Sequence, residues 1–457
     1  MSGTLNGVWR SRGYGWLLRV DNHTYSLSHL SRRSCIPAER GSHEAFAASF
    51  DRGEVDGGRL RLHQAGDLTR YEFVRLETAP DVPVIEAGSM DDAAVNFETL
   101  WRTFDEHYAF FGLHEVDWLE LHQGLRMRVT PEMSDAALLD VFRDLLLPLD
   151  DGHVSVSAPA GTIQALKAMD LREAMRSAFG MPHPRVSPRT TVDAIAPKLD
   201  EALLTPFATR TPLQYAGNGI ISWCRLTPRV GYLNVLRLFG FADTNAARRA
   251  NDLPHGRVEV AGFLRDDMAA LESALDRVFA DLADCDALVV DLRINGGGFD
   301  RAGIAIANRI VDRKRVAFTK CAREGDGHTD AQAIHVEPAS GPRFTKPVYV
   351  LTSPLCVSAG EICVLGLRAS PHVRCVGAST AGMLSDNLNK ILPNGWTYSL
   401  SNEIYTAADG EVYEGRGVPP HLPLDLDAHA LIESMRAQLQ AVVAGIEAHP
   451  MNRSSEA

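Results

Sequence analysis

KPVYVLTSPLCVSAGEICVLGLRASPHVRCVGASTAG, residues 346–382, is the stretch on which the reading of this chain turns. Pro347 to Thr352 is a short apolar run rich in β-formers, and from Ile362 to Leu367 the apolar residues run on with helical character, so Ser358 falls in the turn between a buried strand and a helix. Backbone geometry fixes a hydroxyl placed there. Ala359 and Gly360 leave room for a substrate carbonyl, and the first amides of the new helix turn their partial positive charge toward that space. The arrangement has the logic of a nucleophile elbow without its G-x-S-x-G consensus, because Cys356 stands where the first glycine belongs. The same position also suits a serine that does nothing more than cap the helix.

Working outward, Ala287 to Leu292 (ALVVDL) reads as a fully buried strand that runs through Arg293, Ile294 and Asn295 into the triple glycine Gly296 to Gly298. A helix follows near Arg301. Three glycines after a strand let the backbone approach a ligand with its amides free. The lysine and Ser/Thr of a P-loop are missing, as is G-x-G-x-x-G spacing, so an oxyanion hole is the better use of this loop. Upstream, the pattern predicts a helix over 266–282 that buries Leu271, Leu275, Val278 and Phe279, preceded by a first sheet strand at 230–239. Strand, helix, strand with continuous apolar runs predicts a parallel sheet covered on both faces. Another amphipathic helix is expected through Leu431, Met435, Leu439 and Val442.

Residues 160–225 read as a helical connector: helical patterning up to Phe179, a proline-rich break from Met181 to Pro188, and a helix from Val192 to Leu204. Before it, the 3.6-residue period of Phe97, Leu100, Trp101, Phe104, Tyr108 and Phe111 predicts one helix, and Ser134 is the expected N-cap of a second that buries Leu138, Leu139, Phe142 and Leu145. This second helix stops at Pro148, and the loop LDDGHVSVS carries His153. Residues 1–78 alternate in short runs around Gly13, Gly15 and Asp56-Gly57, the pattern of a small β-barrel or sandwich-like accessory domain. Thr78 to Gly88 is the expected linker.

At 457 residues, 45% hydrophobic and 23% charged, the composition is that of a globular chain with room for two or three domains. A net charge of -12 argues against nucleic acid or an anionic membrane as a partner. The seven cysteines are scattered without a C-x-x-C pair, and no H-E-x-x-H spacing occurs among the 16 histidines, so no metal or cofactor is expected. The first residues lack an apolar stretch behind a basic start, which makes the cytoplasm the expected location.

Five motifs in order, DLRINGGG, LTSPLCVSAGE, GASTAG, LPNGW and YEGRGVPPHLPLD, resemble the tail-specific protease family, which also includes the tricorn core protease and the interphotoreceptor retinoid-binding protein repeats. The resemblance covers the C-terminal half and a further piece around His153, where Leu149, Asp151 and His153 match the "L-x-D-x-H" setting of the general base in tricorn-type relatives. It implies an α/β fold with a ClpP/crotonase-like catalytic domain over 226–446, beside the N-terminal small β domain (1–78) and a helical domain with connector (90–225). It also implies the tricorn-like branch without a PDZ module, a peptide or protein substrate, and assembly into a homo-oligomer.

For the site, the resemblance implies Ser358 as nucleophile, His153 as base and Glu414 as outer member of a relay. The amides of Gly297 or Gly298 with Ala359 would form the oxyanion hole. Gly152 replaces the serine that precedes the histidine in the tricorn tetrad, so that supporting hydroxyl is lacking. A Ser-Lys scheme is the rival, but Met383 follows GASTAG where the processing branch has its lysine, and Lys390 is out of register. Two other uses of the same residues stay open at this level: a non-catalytic binding protein for an apolar ligand or peptide, and an acyl-transfer or isopeptide hydrolase.

Overall fold

The computed structural model describes residues 5–64, 67–165, 198–242 and 257–449. From residue 166 the expected helical patterning up to Phe179, and the proline-rich break at 181–188, lie outside the described residues, as does the 166–197 part of the region where a PDZ module would be sought; residues 161–164 form a strand. Of the helix expected at 192–204, residues 198–204 are helical.

Seven short strands open the chain: β1 (Gly7–Ser11), β2 (Trp16–Val20), β3 (Thr24–Leu30), β4 (Cys35–Ser42), β5 (Phe50–Asp56), β6 (Arg59–Gln64) and β7 (Arg70–Leu76). They form one antiparallel sheet in the order β4-β3-β2-β1-β7-β6-β5, and α1 (His43–Ser49) joins its two edge strands. One face carries Trp9, Leu18, Leu60 and Phe73, each almost fully buried.

The helices α2 (Ala93–His107), α3 (Trp118–Arg126) and α4 (Asp135–Leu146) follow, and Trp9, Phe97, Phe142 and Trp396 belong to one continuous core. Asp92 caps α2 and Ser134 caps α4, each side chain accepting amide hydrogens of the first turn. The first helix is shorter than the aromatic stripe suggested: it ends at His107, and Tyr108 turns out at φ −70°, ψ 125°. Past α4, Pro148 sits in a single 3-10 turn, Asp150 takes a left-handed conformation (φ 44°), and the hairpin β8 (Ser155–Ala158) and β9 (Gly161–Gln164) follows.

The second large sheet holds β10 (Gln214–Ala216), β11 (Ile221–Arg225), β12 (Val230–Val235), β13 (Ala287–Asp291), β17 (Val348–Thr352), β18 (Val373–Gly377) and β22 (Leu422–Pro423) in that spatial order. From β12 to β22 all neighbours are parallel, as the continuous apolar runs required. The crossovers include α5 (Arg257–Asp281), α6 (Asp300–Asn308) and α7 (Ala359–Arg368). β12 is not the first strand, as the sequence had suggested: the antiparallel hairpin β10–β11 precedes it, turning at Gly217-Asn218-Gly219, all three with positive φ. A smaller sheet of β14 (Arg315–Glu324), β15 (Gly327–His328), β16 (Gln332–Val336) and β21 (Glu403–Ala407) lies alongside. The hairpin β19 (Asn387–Ile391) and β20 (Thr397–Ser401) pairs with β8, tying the His153 segment to the C-terminal half. The final helix is α8 (Leu431–Ala448), and Arg293 reaches its Met435 carbonyl and Gln438 from the end of β13. No helix among the described residues is long and apolar enough to cross a membrane.

Candidate active site

Ser358 stands between β17 and α7, as the sequence predicted, in a conformation only a constrained turn sustains: φ 55°, ψ −129°. A non-glycine residue held there is strained, and such strain gathers at functional positions. Two packing features hold it. The Gly296–Gly298 loop passes so close that a Cβ on Gly297, itself at φ +75°, would lie 2.8 Å from the Ser358 Cβ. On the helix side, a Cβ on Gly360 would lie 2.6 Å from Asn295 Oδ1. Glycine at both positions is a steric demand of the turn.

His153 comes from 205 residues upstream and places Nε2 3.1 Å from Ser358 Oγ. Its segment is fixed by three contacts. Asp151 Oδ1 accepts the His153 amide hydrogen at 2.8 Å, Ser399 Oγ donates to the His153 carbonyl at 2.7 Å, and Gln164 Nε2 donates to the Gly152 carbonyl at 2.9 Å. Burial lowers the basicity of the imidazole from its usual value, and the negative charges of Asp151 and Asp386 only partly offset this.

Of the three amides expected to receive an oxyanion, two are left without an acceptor. The Gly297 amide already donates to Asn295 Oδ1 at 3.0 Å, which removes it from the set. The amides of Gly298 and Ala359 have no protein acceptor among the described residues. Both stand beside Ser358, one at the lip of the glycine loop and the other at the first position of α7.

Glu414 does not make the relay contact implied by the resemblance. It is buried, its Oε2 accepts the amides of Leu384 (2.8 Å) and Ser385 (2.9 Å), and the described contacts give it no hydrogen bond to His153. Burial, reinforced by Asp151 and Glu361, pushes its carboxyl well above the ordinary range, against the two amide donors that favour the charged form. The Ser-Lys scheme is not assembled either, since Lys390 Nζ donates to the carbonyls of Tyr14 (2.6 Å) and Gly15 (2.8 Å).

Two residues that matter here escaped the sequence reading. Glu361 takes four hydrogen bonds: from the amides of Ser358, Gly382 and Met383, and from the Thr380 hydroxyl. It binds the Ser358 turn to the GASTAG loop. Burial raises it to about 7 despite those donors. Its S-x-x-E spacing from Ser358 is the signature of a capping box and was legible. Asn295 grips the glycine loop, donating to the Val235 carbonyl while accepting from Gly297; a lone asparagine ahead of glycines gives little warning of this.

Ser358 opens into a cavity of about 620 Å³ between the N-terminal sheet and the C-terminal half. Tyr14, Trp16 and Tyr71 line one side, with Gly298, Phe299 and Tyr398 on others. Of the acids in its lining, Glu403 and Asp386 pair with Lys320 (2.7 and 3.2 Å), and Asp300 accepts the Tyr405 hydroxyl at 2.9 Å. No cluster of His, Cys, Asp and Glu suited to a metal ion occurs among the described residues.

The chain is similar to known peptidases in two segments. Residues 255–424 match the model of peptidase family S41, and residues 90–146 match the tricorn protease C1 domain. The carboxy-terminal processing protease CtpA of Bacillus subtilis is 24% identical over 182 residues, 40% of this chain; the match spans only 37% of the length of that relative. Among solved structures, a candidate peptidase from Parabacteroides merdae aligns with TM-score 0.59 at 21% identity, covering 79% of this chain and 99% of the other. Mature CPAF aligns with TM-score 0.51 at 13% identity, covering 80% and 98%. At such identities the structural likeness speaks for the fold.

Proposed function

This chain is a member of the tail-specific protease family, carrying a peptidase family S41 domain, and from that premise we propose that it is a serine peptidase that cleaves peptide bonds through an acyl-enzyme on Ser358. The observation that carries the proposal is the 3.1 Å contact between Ser358 Oγ and His153 Nε2, made across 205 residues at a strained turn. In this scheme His153 takes the Oγ proton as the oxygen attacks the scissile carbonyl. The amides of Gly298 and Ala359 receive the oxyanion, and His153 returns the proton to the leaving amine. Water then repeats the cycle on the ester.

The substrate is a peptide or protein segment that threads the cavity between Tyr14, Trp16 and Ser358. The parallel run β12-β13-β17-β18 with its helical crossovers supports a ClpP/crotonase-like reading of the mixed α/β fold. A cytoplasmic location and assembly into a homo-oligomer belong to the same proposal. The binding-protein alternative is the less favoured, because a ligand carrier has no use for an imidazole at hydrogen-bonding distance from a strained serine.

A fluorophosphonate probe tests this directly. Wild-type protein is expected to form a covalent adduct at Ser358, and Ser358→Ala to lose the adduct along with about 10⁴- to 10⁶-fold of kcat. Folded wild-type protein that takes no adduct would leave only the binding role.

A further inference from the structure

When His153 accepts the serine proton it becomes an imidazolium inside a buried site, and its second nitrogen then needs an acceptor and a compensating charge. The residue is 7% exposed, and Nδ1 has no hydrogen-bond partner among the described residues. Glu414 is poorly placed to supply either: its Oε2 is engaged by two backbone amides, it makes no hydrogen bond to His153 among the described contacts, and it is not among the charges that act on the imidazole. Asp386 is within electrostatic reach of His153, but Lys320 and the Tyr405 hydroxyl already hold it.

Asp151 differs from both. It lies two residues before His153 on the same turn and is 4% exposed. One carboxylate oxygen accepts the His153 amide at 2.8 Å, and the other accepts the Tyr108 hydroxyl at 3.0 Å. Tyr108 is the residue that leaves the end of α2, so the carboxylate is braced by a separate element. Of the charged groups around it, Asp150 and Glu414 face Tyr108, and Glu361 faces Glu414; Asp151 is the one whose field acts first on the imidazole.

We propose that Asp151, braced by the Tyr108 hydroxyl, is the positioning carboxylate of His153 in this chain, the part that the resemblance gave to Glu414. This rests on the reading of Ser358 and His153 as nucleophile and base. Asp151 holds the backbone of the turn that carries the imidazole and compensates the imidazolium by its charge. Substrate is never touched by it.

The test compares Asp151→Asn, Tyr108→Phe and Glu414→Gln by the rate of fluorophosphonate labelling and by kcat/KM on a peptide substrate against pH, with Ser358→Ala and His153→Ala as controls. Asparagine retains an acceptor for the His153 amide, so the turn is expected to survive, as circular dichroism will check. Asp151→Asn is expected to slow labelling by roughly 10²- to 10⁴-fold. Its acid limb should move about one unit or more toward lower pH, because an anion that favoured imidazolium is gone. Tyr108→Phe should move the limb the same way by less, and it serves as the test if Asp151→Asn does not fold. Glu414→Gln should cost less than Asp151→Asn. An Asp151→Asn or Tyr108→Phe limb that stays in place, or a larger loss and shift in Glu414→Gln, overturns the proposal. Should the two controls keep their labelling, the reading of the site itself is wrong, which is a separate outcome.

Discussion

Glu361 shows how much a single carboxylate decides in this site. Four donors converge on it from the Ser358 turn and the GASTAG loop, so Glu361→Gln places an amide among hydrogen donors. The expected cost is about 2–4 kcal/mol in chemical denaturation, with slower labelling of Ser358. The neighbouring imidazole gives a second expectation. Burial keeps the basicity of His153 below its usual value, so the acid limb of kcat/KM should lie below about 6.5, lower than an unperturbed histidine would give. A limb at or above about 6.5 in a pH–rate profile contradicts that environment. The strand-to-helix turn and the motif order both pointed to Ser358, whereas His153 was picked out only by the L-x-D-x-H resemblance. Asp151 was visible inside L-x-D-x-H but carried no assigned role, and Tyr108 was hidden in an aromatic stripe. What the last two do depends on where α2 ends, which periodicity alone does not fix.

The seam between α2 and the N-terminal sheet sets a pH dependence at the scale of elements. His107, the last residue of α2, lies beneath the β1–β2 turn, and a Cβ on Gly15 would come within 2.5 Å of its Nε2. Burial first, then Lys390, Arg323 and Arg32, lowers its pKa to about 3. An unfolded chain takes up this proton below about 6.5 and the folded one does not, so stability is full above that pH and is lost as pH falls, by about 1.4 kcal/mol per unit. His107→Leu should flatten the acid side of a plot of Tm against pH; an unchanged slope would place the acid sensitivity elsewhere. Elements with strong periodicity, α4, α7 and α8, were legible from their apolar faces, and α4 also from its Ser134 cap. The β10–β11 hairpin was not. Its AGNG turn was a usable signal, but the helical patterning upstream was carried too far along the chain.

Across the whole molecule the buried cation Lys320 balances acids that line the cavity. Burial works against the Lys320 ammonium, yet Glu403 and Asp386 outweigh it and hold its pKa above the usual lysine range. Lys320→Met leaves those carboxylates facing one another, with an expected cost of about 3–5 kcal/mol in denaturant titration; a loss under about 1 kcal/mol would mean that the acids simply take up protons. The sequence divided the chain into an accessory sheet, a helical part and a catalytic part. It could not reveal that Trp9, Phe97, Trp396 and Leu400 share one core, because contacts across hundreds of residues leave no local period. That shared core has a consequence for synthesis. The first strands emerge from the ribosome hundreds of residues before β20, which both completes their packing and pairs with the strand that follows His153. That pairing, which anchors the segment after His153, therefore forms only once most of the polypeptide has been made.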